Sequence, residues 1–158
     1  MNHYTGKRID NGRWVYGSFM ADYIHHKSGA SIVQGGVIWY EVDPETVGQF
    51  TGFELGEHKL YRHTVLRLER DSDDGTLDCI QYMIVEWISE WGIWALLDTY
   101  EFRDYRDSNY TEGLDESLLY TYLLDDVDKE RKSEKLYYVG QLKDHPEVLT
   151  YGRIEDET

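Results

Sequence analysis

The sequence predicts a mostly β protein with minor α content, and three observations support this prediction. Aromatic residues make up 15% of the 158 residues, with 14 Tyr and 5 Trp, and such side chains favour strands. An Asn–Gly pair and a Gly–Gly pair each separate runs rich in β-branched and aromatic residues. Only 2 prolines occur, and the hydrophobic fraction of 41% is sufficient for a buried core.

The N-terminal region, residues 1–52, is predicted to consist of β-hairpins. In "GKRIDNGRWVYGSF" the pair Asn11-Gly12 is typical of a two-residue type I′ turn, because both positions of that turn need a positive φ. In "SIVQGGVIWYEV" the pair Gly35-Gly36 predicts a second tight hairpin. The polar segment "MADYIHHKSGA" between the two is predicted to be a loop.

A short connector, "DPETVGQFTG", is predicted to end this region. Asp43 is suited to cap a turn, and Pro44 to occupy the first position of that turn, where its missing N–H has no cost. The four residues "PETV" are enough for one turn of 3₁₀ or α-helix. Gly48 then lets the chain reverse, and Phe50 is expected to enter the core.

Residues 53–158 are predicted to begin as an antiparallel meander that suits a small barrel. The predicted strands are "LYRHTVLRLER", "TLDCIQYMIVEWI" and "IWALLDTYEF", separated by the turns "DSDDG" and "SEWG". Alternate residues of a strand share one face. The buried face of the first strand is predicted to carry Leu60, Arg62, Thr64, Leu66 and Leu68.

The segment "RDYRDSNYTEG" is predicted to be a polar loop, and a helical insert is predicted near residues 115–130. Apolar residues there recur at helical spacing, with acidic residues early and "KERKSEK" late, as the helix dipole favours. A pair of strands is the alternative, because "LLYTYLL" is also typical of strands. The C-terminal part predicts a strand, a turn and one short helical turn after Asp144.

Charge and cysteine content exclude several classes of function. The formal net charge is −15, from 16 basic and 31 acidic residues. Direct binding of nucleic acid is not expected, because proteins hold phosphate backbones with Lys and Arg, and anionic membrane surfaces are disfavoured likewise. Cys79 is the single cysteine, which excludes an intramolecular disulfide and a Cys-based zinc site. With no membrane-length apolar run and no signal-peptide h-region, we expect a cytoplasmic protein.

Three segments carry a family resemblance: "GKRIDNGRWVYGSF", "VDPETVGQFTGF" and "YYVGQLKDHPEVL". They are similar, in this order, to the N-terminal hairpin, the central D-P-E-T-V-G-Q-aromatic-T-G signature and the V-G-aliphatic-x-x-x-P-E-L ending of the YopX family of small phage and prophage proteins. The resemblance implies that residues 53–158 form a small SH3-like barrel, and it implies no catalytic residue. The chain departs from the family pattern at Arg62, His63 and Thr64, where Glu, Gly and Asp are typical.

The connector also holds two neighbouring carboxylates, Asp43 and Glu45, which are residue types of acid–base or metal sites. We favour a cap followed by a first-turn residue, because positions two apart on a helical turn do not face each other. The connector is therefore interpreted as structural. Its signature residues are Asp43, Pro44, Glu45, Thr46, Gly48, Gln49, Phe50 and Gly52.

Histidines and one acidic turn are the other candidate metal ligands. Adjacent His25 and His26 diverge on a strand and have no third ligand nearby in sequence, and His58 and His63 are equally ambiguous. "DSDDG" begins like a calcium loop, but a glycine stands at the fifth position and no Glu follows at the twelfth. The sequence predicts no metal, no cofactor and no catalytic residue.

An aromatic cluster, Trp87, Trp91 and Trp94 with Tyr100 and Phe102, is the best candidate for a binding surface. Core packing explains most such residues, but Trp91 lies in the turn "SEWG", where exposure is expected. We predict binding by Trp91, Trp94 and Trp87.

The function predicted on this basis is that of a phage- or prophage-derived, non-catalytic protein-binding accessory module. Its partner is an unknown protein, and self-association is an alternative, because a short-edged sheet rich in tyrosine favours pairing. Two rival functions remain. One is an acidic nucleic-acid mimic that inhibits a host DNA-binding protein, and the other is an enzyme of unrecognised class.

Overall fold

A computed structural model describes residues 3–22, 26–71, 76–111, 114, 118–123 and 134–150. This part of the chain is mostly β, as predicted. The strands are β1 Tyr4–Lys7, β2 Trp14–Asp22, β3 Gly29–Gln34, β4 Ile38–Glu41, β5 Gly48–Leu55, β6 His58–Tyr61, β7 Thr64–Asp71, β8 Leu77–Ile88, β9 Ile93–Asp98 and β10 Glu134–Gln141. The helices are α1 Thr99–Ser108, α2 Leu119–Leu123 and the 3₁₀ turns Pro44–Thr46, Leu142–Asp144 and Pro146–Leu149.

The strands form two antiparallel sheets, and the chain divides into two compact units. The six-stranded sheet has the order β4-β3-β2-β1-β5-β6, and the four-stranded sheet has the order β10-β7-β8-β9. The first unit comprises Met1–Gly52 and Lys59–Arg62, and the second comprises Phe53–His58 and His63–Thr158. No barrel is closed in the described residues, so the expected SH3-like barrel is not confirmed.

The first hairpin forms, but its turn differs from the prediction. The Arg8 amide donates to the Arg13 carbonyl (2.8 Å), and the Gly12 amide donates to the Arg8 carbonyl (3.0 Å). The loop therefore has four residues, Ile9–Gly12, and only Gly12 of the Asn–Gly pair has a positive φ. The predicted two-residue turn is wrong because the Asn11 side chain accepts from the Arg13 amide (3.0 Å) and folds the loop another way.

Strand β2 changes partner at Gly17. Residues Trp14–Gly17 pair with β1, and Ser18–Asp22 pair with β3. A Cβ at Gly17 would lie 2.3 Å from the Val33 carbonyl oxygen, so only glycine fits where β3 approaches. The predicted loop "MADYIHHKSGA" is wrong at both ends, because this second pairing recruits residues 20–22 and 29–30 into strands.

The second hairpin is confirmed. Gly35 and Gly36 have φ values of 59° and 72°, and the Val37 amide closes the turn by donating to the Gln34 carbonyl (3.1 Å). Positive φ at both central positions explains why two glycines stand here. The core of the first unit lies on one face of this sheet and consists of Val15, Ala30, Ile32 and Val42.

The predicted meander is present as β7, β8 and β9, but its first strand is interrupted. Between β6 and β7, His63 adopts a φ of 68°, which breaks the continuous strand expected over "LYRHTVLRLER". Its amide donates to the Val85 carbonyl (2.7 Å), and its carbonyl accepts from the Leu142 amide (2.9 Å). Of the predicted core face, Arg62 is exposed because it lies at this corner, whereas Leu60, Thr64, Leu66 and Leu68 are buried.

Helix α1 replaces a predicted strand end and polar loop. Asp98 caps it, since its carboxylate accepts from the Glu101 amide (2.9 Å) while the Glu101 carboxylate accepts from the Asp98 amide (3.1 Å). Phe102 and Tyr105 join the core of the second unit. The helix ends at Asn109, whose φ of 52° is a left-handed cap. The strand prediction is wrong because this capping box outweighs the aromatic β-propensity of the segment.

The C-terminal part agrees with the sequence prediction as far as it is described. Helix α2 lies inside the predicted insert, while residues 115–117 and 124–133 lie outside the described residues. Strand β10 is followed by two 3₁₀ turns, the second after Asp144, as predicted. No helix in the described residues has both the length and the apolar character needed to cross a membrane.

Candidate functional site

The connector turn uses its polar side chains to hold main chain. The Asp43 carboxylate accepts from the Glu45 amide (3.0 Å), and Pro44 occupies the first helical position, as predicted. The Thr46 hydroxyl donates to the Asp43 carbonyl (2.6 Å) and accepts from the Lys7 amide (2.8 Å). These bonds fasten the turn to β1, and they support the structural interpretation of the signature.

Two glycines of the signature, Gly48 and Gly52, are required for different reasons. A Cβ at Gly48 would lie 2.7 Å from the Arg62 carbonyl oxygen, so β5 and the end of β6 approach too closely for a side chain. The Arg62 amide donates to the Gln49 carbonyl (2.8 Å), which holds this approach. Gly52 has open space around it but a φ of +88°. One glycine is required by contact, and the other by backbone conformation.

Phe50 is half-buried rather than a core residue as predicted. Its ring centroid lies 5.4 Å from that of Tyr61, and the Lys59 ammonium lies 5.5 Å from the ring. The next residue, Thr51, is buried and donates to the Leu60 carbonyl (2.8 Å). Because side chains alternate along β5, Phe50 lies on the opposite face of the strand from the buried Thr51.

The predicted aromatic cluster is divided between surface and core. Trp87 and Trp94 are direct cross-strand partners in β8 and β9, with ring centroids 5.0 Å apart in an edge-to-face arrangement. Trp91 lies in the turn and is 38% exposed, which agrees with the expected exposure, whereas Phe102 is buried in the core and Tyr100 is exposed. Binding through the three tryptophans stays a prediction.

The histidines are spread over the structure rather than gathered at one point. His58 stacks on Tyr138 with ring centroids 3.9 Å apart, His26 Nδ1 lies 2.5 Å from the Ser31 hydroxyl, and His25 lies outside the described residues. In the described ranges, no three His, Cys, Asp or Glu residues stand together as a metal site would require. Residues 72–75 of the "DSDDG" turn also lie outside the described residues.

His63 pairs with a buried carboxylate of the second unit. Its Nε2 donates to Glu86 Oε2 (3.0 Å), and the side chain of Glu86 is almost fully buried. The other oxygen of that carboxylate accepts from the Trp87 amide (2.8 Å), and the imidazole meets the Phe102 ring edge-on with centroids 5.6 Å apart. This pairing was not predicted from the sequence, because Glu86 is 23 residues away from His63.

A polar cleft of about 330 Å³ lies beside the β8–β9 turn, and its groups bind one another. It is lined by Ser89, Glu90, Tyr105 and Asn109. The Ser89 amide donates to the Tyr105 hydroxyl (3.1 Å), and Thr111 donates to the Glu90 carboxylate (2.9 Å). These hydrogen bonds already occupy polar groups of Ser89, Glu90 and Tyr105 in the cleft.

The largest unexplained feature is a cluster of exposed apolar side chains around the β3–β4 hairpin, here called the apolar hairpin surface. Its tip is Val37, which is 80% exposed, followed by Ile38 at 51% and Trp39 at 43%. Three residues of the neighbouring strand β2 extend it, and each is more than a third exposed. These residues are Tyr16 and Met20, which share the face of Trp39, and Phe19, which with Ile38 lies on the opposite face.

A groove of about 530 Å³ is part of this surface. Ser18, Val33 and Trp39 lie side by side across β2, β3 and β4, and Tyr16 and Met20 share that face because side chains alternate along a strand. Val33 is the buried floor, and the aromatic and Met side chains are the walls. Gly35 and Gly36 form the rim next to the hairpin tip, and none of the described residues that line the groove is charged.

The two units differ sharply in charge. The first unit contains 6 basic and 5 acidic residues, whereas the second contains 10 basic and 26 acidic residues. The net charge of −15 therefore belongs almost wholly to the second unit. The apolar hairpin surface lies in the unit whose charges nearly cancel.

Comparison of the chain with protein-family models, curated proteins and solved structures gives no match. The resemblance of "DPETVGQFTG" to the YopX signature accordingly stays a prediction.

Proposed function

We propose that the protein is a non-catalytic protein-binding module and that the apolar hairpin surface is its docking site. The observation that supports this proposal is the grouping of Tyr16, Met20 and Trp39 on one face of the sheet, beside the hairpin tip Val37, all more than a third exposed. Single exposed apolar residues are normal on a soluble protein, but a contiguous group is typical of an interaction site.

The size of the surface fits a protein partner. The side chains on the Trp39 face and at the tip leave on the order of 400 Å² of apolar area in contact with water. A standard interface covers about 800 Å² on each partner, with an apolar centre and a polar rim. The apolar hairpin surface therefore has the area of such a centre.

The chemistry of the surface specifies an apolar, uncharged counterpart. None of its six residues carries a charge, and Tyr16 and Trp39 each add one polar group to a large apolar body. The partner is expected to present aliphatic or aromatic side chains, and the contact is expected to persist at high salt. The resemblance to phage and prophage proteins supports an accessory role in the bacterial cytoplasm.

An affinity experiment tests this proposal. Tagged wild-type protein is compared with the double variant Met20→Ser/Trp39→Ser and with the control variant Tyr120→Ser, which alters an exposed aromatic residue of the second unit outside the tryptophan cluster. A specific partner should be lost with the double variant and kept with the control, and the purified partner should bind wild type at least ten times more tightly. Equal binding of one purified partner by all three proteins contradicts the proposal.

The charge of the second unit favours a second candidate function, an acidic mimic of nucleic acid that occupies the basic groove of a host DNA-binding protein. Its 26 acidic residues against 10 basic ones could replace a row of phosphates. Binding of that kind weakens steeply as salt rises, whereas apolar docking does not. Titration of the captured partner at low and high salt therefore distinguishes the two functions.

A further inference from the structure

We propose that the partner of the apolar hairpin surface is a second copy of this chain. In this dimer the hairpin tip of each copy enters the groove of the other. The inference rests on the proposed function, since it names the occupant of the same surface. Its basis is the combination of a protruding apolar tip and an apolar groove on one hairpin.

The tip and the groove are neighbours in a way that suits twofold symmetry. Val37 and Ile38 protrude directly after Gly35 and Gly36, which form the rim of the groove. In a twofold interface, each copy offers the same patch, and a contact from one copy to the other is repeated in reverse. In such a dimer, the hairpin tip of one copy fills the groove of the second copy, and the tip of the second copy fills the groove of the first.

The dimensions and chemistry of the groove match that occupant. Its volume of about 530 Å³ lies within the range of about 300–1,000 Å³ typical of binding pockets. Two aliphatic side chains from the opposing tip would contact the Tyr16 and Trp39 rings and the Val33 floor. Such contacts need no charged partner, and the groove lining is uncharged in the part of the chain that the structure describes.

The charge distribution favours association through the first unit. Two second units carry 26 acidic residues each against 10 basic ones, and they repel each other at short range. The first unit, with 6 basic and 5 acidic residues, brings almost no repulsion to a contact between copies. Two copies of the chain that associate through their first units therefore meet less electrostatic repulsion than two copies that associate through their second units.

Side-chain docking is favoured over strand addition at the edge of β4. The Ile9 amide donates to the Glu41 carbonyl (3.2 Å), and the Asp43 amide donates to the Lys7 carbonyl (2.9 Å). The end of β1 therefore occupies the outer edge beyond Tyr40 and leaves only Ile38–Tyr40 open. Three residues are at the lower limit of strand length, whereas the groove and tip remain accessible.

Mass measurement in solution tests the proposal. Light scattering on a sizing column and sedimentation equilibrium, at about 1–100 μM protein, should give about 37 kDa, twice the chain mass of 18.7 kDa. Val37→Asp places a charge at the tip and should weaken the dimer roughly 100-fold, because a buried unpaired carboxylate is costly. Ile9→Asp is the matched control, since Ile9 is an exposed aliphatic residue of the same unit outside this surface, and it should remain dimeric.

Three outcomes overturn the second-copy proposal. They are a monomeric wild type over this range, a Val37→Asp variant as dimeric as wild type, and equal dissociation of the Ile9→Asp control. Circular dichroism of each variant confirms that it is folded. If wild type is monomeric but loses a captured partner with Met20→Ser/Trp39→Ser, the proposed function stands and only the identity of the partner is wrong.

Discussion

Replacing Gly48 by alanine tests how rigidly the connector signature is packed. The added Cβ would lie 2.7 Å from the Arg62 carbonyl oxygen, about 0.6 Å closer than the usual limit for a C···O contact. The opposing atom belongs to main chain held by the Arg62–Gln49 hydrogen bond of 2.8 Å, so a side-chain rotation cannot relieve the overlap. Overpacking of this kind costs about 1–3 kcal/mol.

Thermal unfolding measures this cost directly. In a chain of this size, a loss of about 2 kcal/mol lowers Tm by about 4–8 °C. Gln49→Ala alters the adjacent exposed side chain and is expected to stay within about 0.5 kcal/mol of wild type. The reasoning is refuted if Gly48→Ala also stays within that limit. It is equally refuted if Gly48→Ala abolishes partner binding at unchanged stability, because the signature would then be functional rather than structural.

Three further predictions concern capping and pH. Asp43→Ala removes the cap of the connector turn and should cost about 1 kcal/mol in urea unfolding. Asp98→Ala removes the capping box of α1 and should cost a similar amount, about 1 kcal/mol, measured against the exposed control Asp107→Ala. The Ser28 amide donates to Glu41 and lowers the pKa of that carboxyl. The resulting stability is present above the unfolded pKa of Glu41 and is lost as pH falls through the lower folded pKa. Denaturation between neutral and acid pH should show this slope in wild type and a smaller slope in Glu41→Gln.

Local turn chemistry made several elements predictable from sequence. The Gly35-Gly36 hairpin, the Asp43 cap and the second 3₁₀ turn after Asp144 each depend on residues adjacent in sequence. Helix α1 was predictable in principle, because Asp98 and Glu101 have the spacing of a capping box. The aromatic residues of "IWALLDTYEF" instead favoured a strand, since propensity was given more weight than the cap.

Elements that depend on distant parts of the chain were not predictable. His63 turns out of an alternating run because Val85 and Leu142 hold its amide and carbonyl, and neither partner is near it in sequence. The run "VIWYEV" has the composition of a buried strand, and its exposure depends on which sheet faces are covered. The predicted site at Trp87, Trp91 and Trp94 therefore did not anticipate the apolar hairpin surface.

The pairing of β10 with β7 constrains the order of events during synthesis. Leu136 lies opposite Leu68 in the sheet, so β7 emerges from the ribosome well before its neighbour exists. Chains are made at about 5–20 residues per second, and the intervening stretch takes several seconds at those rates. During that interval the edge of β7 that later pairs with β10 has no partner strand. Pairing with β8 covers only the opposite edge of β7, so the edge that faces β10 is open to aggregation until the last strand arrives.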